Sequence, residues 1–350
     1  MSDIKSLLEK LSNAHGISGW EGSIQQIVKE EISPYVDEVR VDRLGNLIAT
    51  KKGAKPSIMI DAHADEIGLM VKQMDEKGFI RFLRIGGWFD QTLLNQRVII
   101  HTSSGPIVGI IGSKPPHVMK EEERKKVVEA RDMFIDIGCT CQKDVMDLGI
   151  RPGTPISIDR TFASMQGDTV TGKAFDNRAG LVMMIEALKR TKSKSTIYAV
   201  AAVQEEVGLK GAKVAAFGLD PDVAIAADVT IPGDHPGIEM KDAPIEMGKG
   251  PVLVVADASG RGLIATPQVI EWLMGTAKEF EIPVQLEASD GGTTDATAIY
   301  LTRSGIPTGV ISVATRYIHS PVEMLSISDI DKAAELMARS LETAARYFKE

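Results

Sequence analysis

The chain has 350 residues, with 40 Lys and Arg against 48 Asp and Glu and a formal net charge of −8. That balance argues against a nucleic-acid binder, which needs a basic face for phosphates, and 43 % hydrophobic with 25 % charged residues excludes a disordered chain. At about 150 residues per domain, the length predicts two domains, or one large domain with an insertion.

The first segment, MSDIKSLLEKLSNAHG, reads as an amphipathic helix rather than a signal peptide, with Ile4, Leu7, Leu8 and Leu11 at helical spacing. Ile24, Ile27, Val28 and Ile32 repeat that spacing up to Pro34. The period then changes: VRVDRLGNLIATKK alternates around a Gly-Asn turn, as a hairpin does. SIMIDAHADEIG follows, an apolar run that stops abruptly in polar residues, like a buried strand reaching a sheet edge. From Leu69 to about Ser164, short apolar stretches (FIRFLRIGG, RVIIHT, PIVGIIGS, MFIDIGC) separated by turns predict a small all-β module. Its charged stretch MKEEERKKVVEARD reads as a solvated helix or a mobile loop.

After Val170 the α/β pattern returns, with a helix over Ala179 to Lys189, the strand TIYAVAAV, a helix over Ala212 to Phe217 and the strand VAIAADVT. Pro267 to Phe280 predicts a helix capped by Thr266, and PTGVISVA a strand. The last helix runs from Ser328 to about Phe348 with a stripe of Ile330, Ala333, Ala334, Leu336, Met337, Leu341 and Ala345. No apolar run reaches the roughly 20 residues of a membrane helix. Two cysteines fit a reducing, cytoplasmic setting; Cys139 and Cys141 have no partner pair and read as ordinary thiols. The predicted fold class is α/β: a catalytic unit over 1–67 and 168–350, interrupted by a β-rich insertion over 68–167.

Ligand-type residues recur where apolar strands end: His63 and Asp65 after SIMI, Glu205 and Glu206 after TIYAVAAV, Asp228 after IAA, and His319 after PTGVISVA. Asp176 stands just before a helix. In open α/β sheets functional groups collect at the carboxyl ends of strands, so these residues can converge. Two imidazoles and three carboxylates suit Zn²⁺, Co²⁺ or Mn²⁺ better than Ca²⁺. Five donors exceed one tetrahedral site. If Asp176 bridges, His63, Asp176 and Asp228 serve one ion and Asp176, Glu206 and His319 the other, the pattern of a two-metal hydrolase. Of the adjacent pair, one glutamate can ligate while the other, Glu205, stays free as a general base. Asp65 is placed to accept the His63 ring N–H. A lone histidine or Glu-Glu pair is more often structural; the joint occurrence carries the reading. His15, His101 and His235 lack such a setting and read as structural, and His117 as a loop residue. SDGGTTD, with Gly291 and Gly292, reads equally as a substrate-approach loop or as a plain loop capped by Asp295.

With these stretches in hand, the sequence resembles the tetrahedral (TET) aminopeptidases of archaea and their bacterial relatives, metallopeptidase family forty-two, including glutamyl- and leucyl-aminopeptidase-like members. The matching stretches are DAHADEIGLMV, KAFDNRAG, VQEEVGLKGA, IAADVT, GGTTDATAI and RYIHSP, with IGGW and PPH in the insertion. The resemblance implies a mixed-sheet zinc-exopeptidase (phosphorylase/hydrolase-like) catalytic domain carrying a β-rich, PDZ-like or barrel dimerisation domain. It implies His63, Asp176, Glu206, Asp228 and His319 as metal ligands, Asp176 as the bridge, Glu205 as base, and a cis peptide after Asp176. It also implies two divalent ions per subunit (zinc or cobalt), peptide substrates, a homododecamer built from dimers, and a preference for neutral N-terminal residues such as leucine. Two rival readings are weaker. A glycosidase using paired carboxylates leaves His63 and His319 without a task; a non-catalytic metal binder leaves Glu205 as an unneeded charge.

Overall fold

Successive residues of a strand face opposite sides of its sheet, and the segment around Ile58 shows what that does here. In the computed structural model, which describes residues 2–348, Ile58, Ile60 and Ala62 join one hydrophobic core, while Met59 joins a second on the other face. The strand Ser195–Ala202 does the same, with Ile197, Ala199 and Ala201 on the first side and Val200 and Ala202 on the second. Both are buried on both faces, as near-continuous apolar runs require.

These strands lie at the centre of a large mixed sheet. Its order is Glu38–Val41, Leu47–Lys51, Ser195–Ala202, Ala54–His63, Val223–Thr230, Thr308–Arg316, Glu323–Ser326, Thr169–Gly172 and Ala163–Ser164. Val252–Ala256 also pairs with Thr308–Arg316, and Gln285–Ala288 with Val252–Ala256. Ser195–Ala202, Ala54–His63, Val223–Thr230 and Thr308–Arg316 are mutually parallel, so their carboxyl ends share one edge.

The helices Ser2–Asn13, Gly22–Ile32, Phe175–Arg190 and Ile327–Tyr347 bury their apolar faces on one side of the sheet. Lys210–Leu219 covers the other through Ala212, Ala215 and Ala216. The helix Pro267–Glu279 packs on the last helix, where the buried Trp272 indole donates to the Ser340 carbonyl at 3.1 Å. Two local expectations fail. Thr266 stands at the N-cap but makes no side-chain cap bond. Ala345 is exposed, and Ala344, one position earlier on the helical face, is buried in its place.

The remaining module is a closed, all-antiparallel six-stranded barrel in the order Gly68–Met74, Ile80–Ile85, Phe134–Asp136, Gly105–Gly112, Arg97–Thr102 and Pro155–Ile158. Closure leaves no unpaired edge, and Leu69, Val71, Val98, Ile100, Ile111 and Ile156 fill the interior. The charged stretch reads as expected: it is mostly exposed and holds a short α-helix, Glu121–Arg124, and a single 3-10 turn, Ala130–Asp132. Ala163–Ser164, on the insertion side of the division drawn from sequence, pairs on the large sheet. The α/β class with an inserted β barrel is therefore the architecture observed.

Candidate metal centre

The shared edge gathers the expected donors. His63 ends its strand, Asp228 lies within Val223–Thr230, Glu205 and Glu206 follow Ser195–Ala202, and His319 follows Thr308–Arg316. Asp176 sits where the helix Phe175–Arg190 opens, at non-helical backbone angles, and the Asp176–Asn177 peptide is cis, as the resemblance implies. One donor atom from each of His63, Asp176 and Asp228 lies within 4.8 Å of the others, and the same holds for Asp176, Glu206 and His319. The two triplets share Asp176. Its Oδ1 stands 3.1 Å from His63 Nε2 and its Oδ2 3.3 Å from His319 Nε2, so one carboxylate faces both imidazoles. Glu206 Oε2 is 3.3 Å from the same His319 nitrogen. Glu205 Oε2 is 3.8 Å from His63 Nε2 and belongs to neither triplet.

Asp65 does more than orient a ring. The closer partner of His63 Nδ1 is the Asp65 backbone carbonyl, at 3.2 Å, with the carboxylate at 3.4 Å. That carboxylate accepts the Glu205 N–H at 3.0 Å, the Glu206 N–H at 3.1 Å and the Ser18 hydroxyl at 2.6 Å. It thus fixes the turn that presents both glutamates.

The electrostatics are lopsided. Asp176, Glu205, Glu206 and Asp228 are four carboxylates in one buried place, with two imidazoles as the nearest cations. Burial pushes Glu205 and Asp228 well above the usual carboxyl range, and neighbouring negative charge adds to it. Burial also raises Glu206, whose Oε1 has no hydrogen-bond partner. Burial alone would lower the imidazoles. Glu205 and the Asp176 and Asp65 bonds nevertheless raise His63 well above its ordinary value, and bonds to Asp176 and Glu206 raise His319 to about 11. Asp176, held by both imidazoles against burial, falls below its ordinary value. Anions buried without cations are costly. A set of oxygen and imidazole donors with an orphaned buried oxygen fits divalent ions.

The site opens into a cavity of about 740 Å³, within the range of small-molecule sites. Gly291 and Gly292 line it, as do Val229, Ile231, Ile238, Val254 and Ile318. Asp295 stands at the N-cap of Ala296–Tyr300 but makes no side-chain cap bond. It is buried, and Asp61 and His63 act on its charge. Glu323 and Gly87 are not apparent from the sequence, because neither follows the rule of a strand ending in a ligand. Gly87 belongs to the IGGW stretch of the barrel; a Cβ there would stand 2.8 Å from His319 Nδ1, so glycine lets the barrel backbone close over the site.

An α/β sheet with clustered His and carboxylate donors at its parallel edge, and a barrel inserted between the donors, is the arrangement of a metal-dependent hydrolase. A sequence profile described as M42 glutamyl aminopeptidase matches residues 45–336, and the chain belongs to that family. It is 42 % identical to a putative aminopeptidase of Acetivibrio thermocellus, over 97 % of this chain and 98 % of the relative. Among solved structures it is similar to a TET aminopeptidase from the marine sediment archaeon Thaumarchaeota archaeon SCGC AB-539-E09, with TM-score 0.94 and 42 % identity over 97 % and 96 % of the two chains. It is also similar to the Pyrococcus horikoshii TET1 peptidase, described as assembling into a tetrahedron or a large octahedral shell, with TM-score 0.87 and 32 % identity over 97 % and 99 %.

Proposed function

We propose that this chain removes N-terminal residues from peptides with two divalent ions, zinc or cobalt. His63, Asp176 and Asp228 would hold one ion, and Asp176, Glu206 and His319 the other. The observation that carries the reading is Asp176, whose two oxygens face two different imidazoles. When bound, such ions lower the pKa of water and stabilise negative charge on a carbonyl oxygen. Glu205 is the general base: it lies beside the donors without joining either triplet, takes the proton of the attacking water and passes it to the leaving amine. Asp65 holds Glu205 and Glu206 in register through their N–H groups.

In this reading 1–67 with 168–350 is the catalytic unit, and 68–167 serves self-association. The barrel strand Gly105–Gly112 exposes Val108 and Ile110 at 56 % and 53 %, apolar where a monomer's outward face is polar. The assembly is a homododecamer of dimers, as the likeness to TET1 supports, and it works in the cytoplasm, the reducing setting that its two free cysteines fit. Gly291 and Gly292 let the substrate backbone approach. Neutral side chains such as leucine are favoured, because Val229, Ile231, Ile238, Val254 and Ile318 put aliphatic surface on the cavity wall. Of the acids on that wall, Glu287 accepts the Thr230 hydroxyl at 2.8 Å, and Asp257 accepts the Leu263 N–H through one oxygen while its other oxygen has no partner. The test is hydrolysis of leucyl, glutamyl and lysyl chromogenic substrates with added Co²⁺ or Zn²⁺, beside an N-acetylated leucyl peptide. Leucyl turnover should lead and the acetylated peptide should resist; cleavage of the blocked peptide contradicts the exopeptidase reading.

A further inference from the structure

The strand Glu323–Ser326 lies between two neighbours whose ends carry metal-type donors. On one side, Glu323 stands opposite Gly172 at the end of Thr169–Gly172, and the chain runs on from there to Asp176. On the other, Thr308–Arg316 runs on into the turn that bears His319. The first residue of the middle strand can therefore reach both. Glu323 is 2 % exposed. Its Oε2 accepts the Asp176 backbone N–H at 2.9 Å, and its Oε1 accepts the His319 backbone N–H at 3.1 Å. Neither Lys nor Arg pairs with it among the described residues.

Both N–H groups belong to irregular backbone. Asp176 departs from helical angles, and the His319 turn contains two non-glycine residues in the left-handed region, Tyr317 at φ 63° and His319 at φ 60°. Such residues are costly and persist only where surrounding bonds over-determine them. A buried carboxylate with one oxygen on each amide supplies that constraint and ties the shared donor to the half-buried His319.

We infer that Glu323 is a positioning residue of the metal centre, a two-pronged clamp that sets the distance between Asp176 and His319 through their backbone amides. The inference rests on the metal reading above. Both partners are donors, so both prongs must accept. Glu323→Gln turns one prong into an NH₂ that faces an N–H, and Glu323→Asp keeps two acceptors but is one methylene short of spanning them.

The experiment strips the full-length protein with a chelator and titrates it with Co²⁺, followed by visible absorption and by competition with a chromophoric chelator, beside thermal unfolding of the metal-free forms. Wild type should bind two ions per chain. Glu323→Gln should bind one of the two about 10–100-fold more weakly, the usual effect of losing an outer partner of a ligand, and show an altered Co²⁺ spectrum. Glu323→Asp should show a smaller loss, and it decides the matter by the same readouts if Glu323→Gln does not fold. Folded variants that bind both ions with wild-type affinity and spectrum, even at a lowered unfolding temperature, overturn the clamp. A wild type that binds no Co²⁺ overturns instead the metal reading beneath it.

Discussion

Glu66 and Glu206 are both buried, and both belong to polar turns at one end of the central strands, yet their surroundings are opposite. Glu66 accepts Lys173 Nζ at 2.9 and 2.8 Å, Arg178 at 3.2 Å and the Gly16 N–H at 2.9 Å. Burial alone would raise its carboxyl, but Lys173 and Arg178 outweigh burial and hold it below the usual range. Glu206 meets one imidazole, leaves an oxygen without a partner and is raised by burial. Sequence neighbours feed both places: Asp65 and Glu66 on one strand end, Lys173, Asp176 and Arg178 around one helix start. Where the protein supplies its own cations the cluster is finished and structural. Where it supplies carboxylates in excess, the missing charge must come from outside.

The contrast can be broken first at Glu205. Glu205→Gln removes a proton acceptor and none of the proposed ligands, so kcat should fall about 10²–10⁴-fold while the number of bound ions stays the same; near-normal turnover refutes the base. Glu66→Gln acts on the finished cluster. It leaves Lys173 and Arg178 buried without their anion, which should cost about 3–5 kcal/mol in unfolding free energy, read from denaturant melts. A loss under 1 kcal/mol would show that the cluster is not the anchor described here.

Gly87→Ala sharpens the boundary between barrel and site. The added methyl meets the His319 ring, and a ligand shifted by a fraction of an ångström should lower kcat by up to about a hundredfold with little change in melting temperature; an unaltered kcat would detach the barrel from the site. The smallest effect is at His15. Burial foremost, with Lys173, lowers its imidazole to about 4, against about 6.5 unfolded. Its contribution to stability is complete above pH 6.5 and is lost as pH falls toward 4, because the unfolded chain takes a proton the fold refuses. In metal-free protein, His15→Gln should flatten the fall in melting temperature through that window; an equal slope in both proteins would contradict it.

Much of this was legible in the sequence because two simple rules hold locally. Apolar runs such as Ile58–Ile60 mark buried strands, and a polar residue that ends one, as at His63 or His319, reaches the sheet edge. The same break in pattern separated the barrel, since donors lie on both sides of it. Glu323 was hidden because it begins a strand instead of ending one. Gly87 was hidden because its part is the absence of a side chain near a residue more than two hundred positions away. His15 and His101 read as structural, and their contacts bear this out: both bond the buried Ser157 hydroxyl at 2.8 Å. Thr266 and Asp295 had the right residue types for caps, but neither makes a side-chain cap bond: Thr266 is exposed, and Asp295 is buried beside the site.

The central claim is that the parallel sheet edge is built to hold two divalent cations for peptide hydrolysis. Its most direct test counts ions per chain by elemental analysis and calorimetric titration after chelator dialysis, with leucyl-substrate hydrolysis followed in the same samples. The account predicts activity abolished on stripping and restored as Zn²⁺ or Co²⁺ reaches two per chain. Full activity in a preparation shown to be metal-free, or restoration complete at one ion per chain, would contradict it.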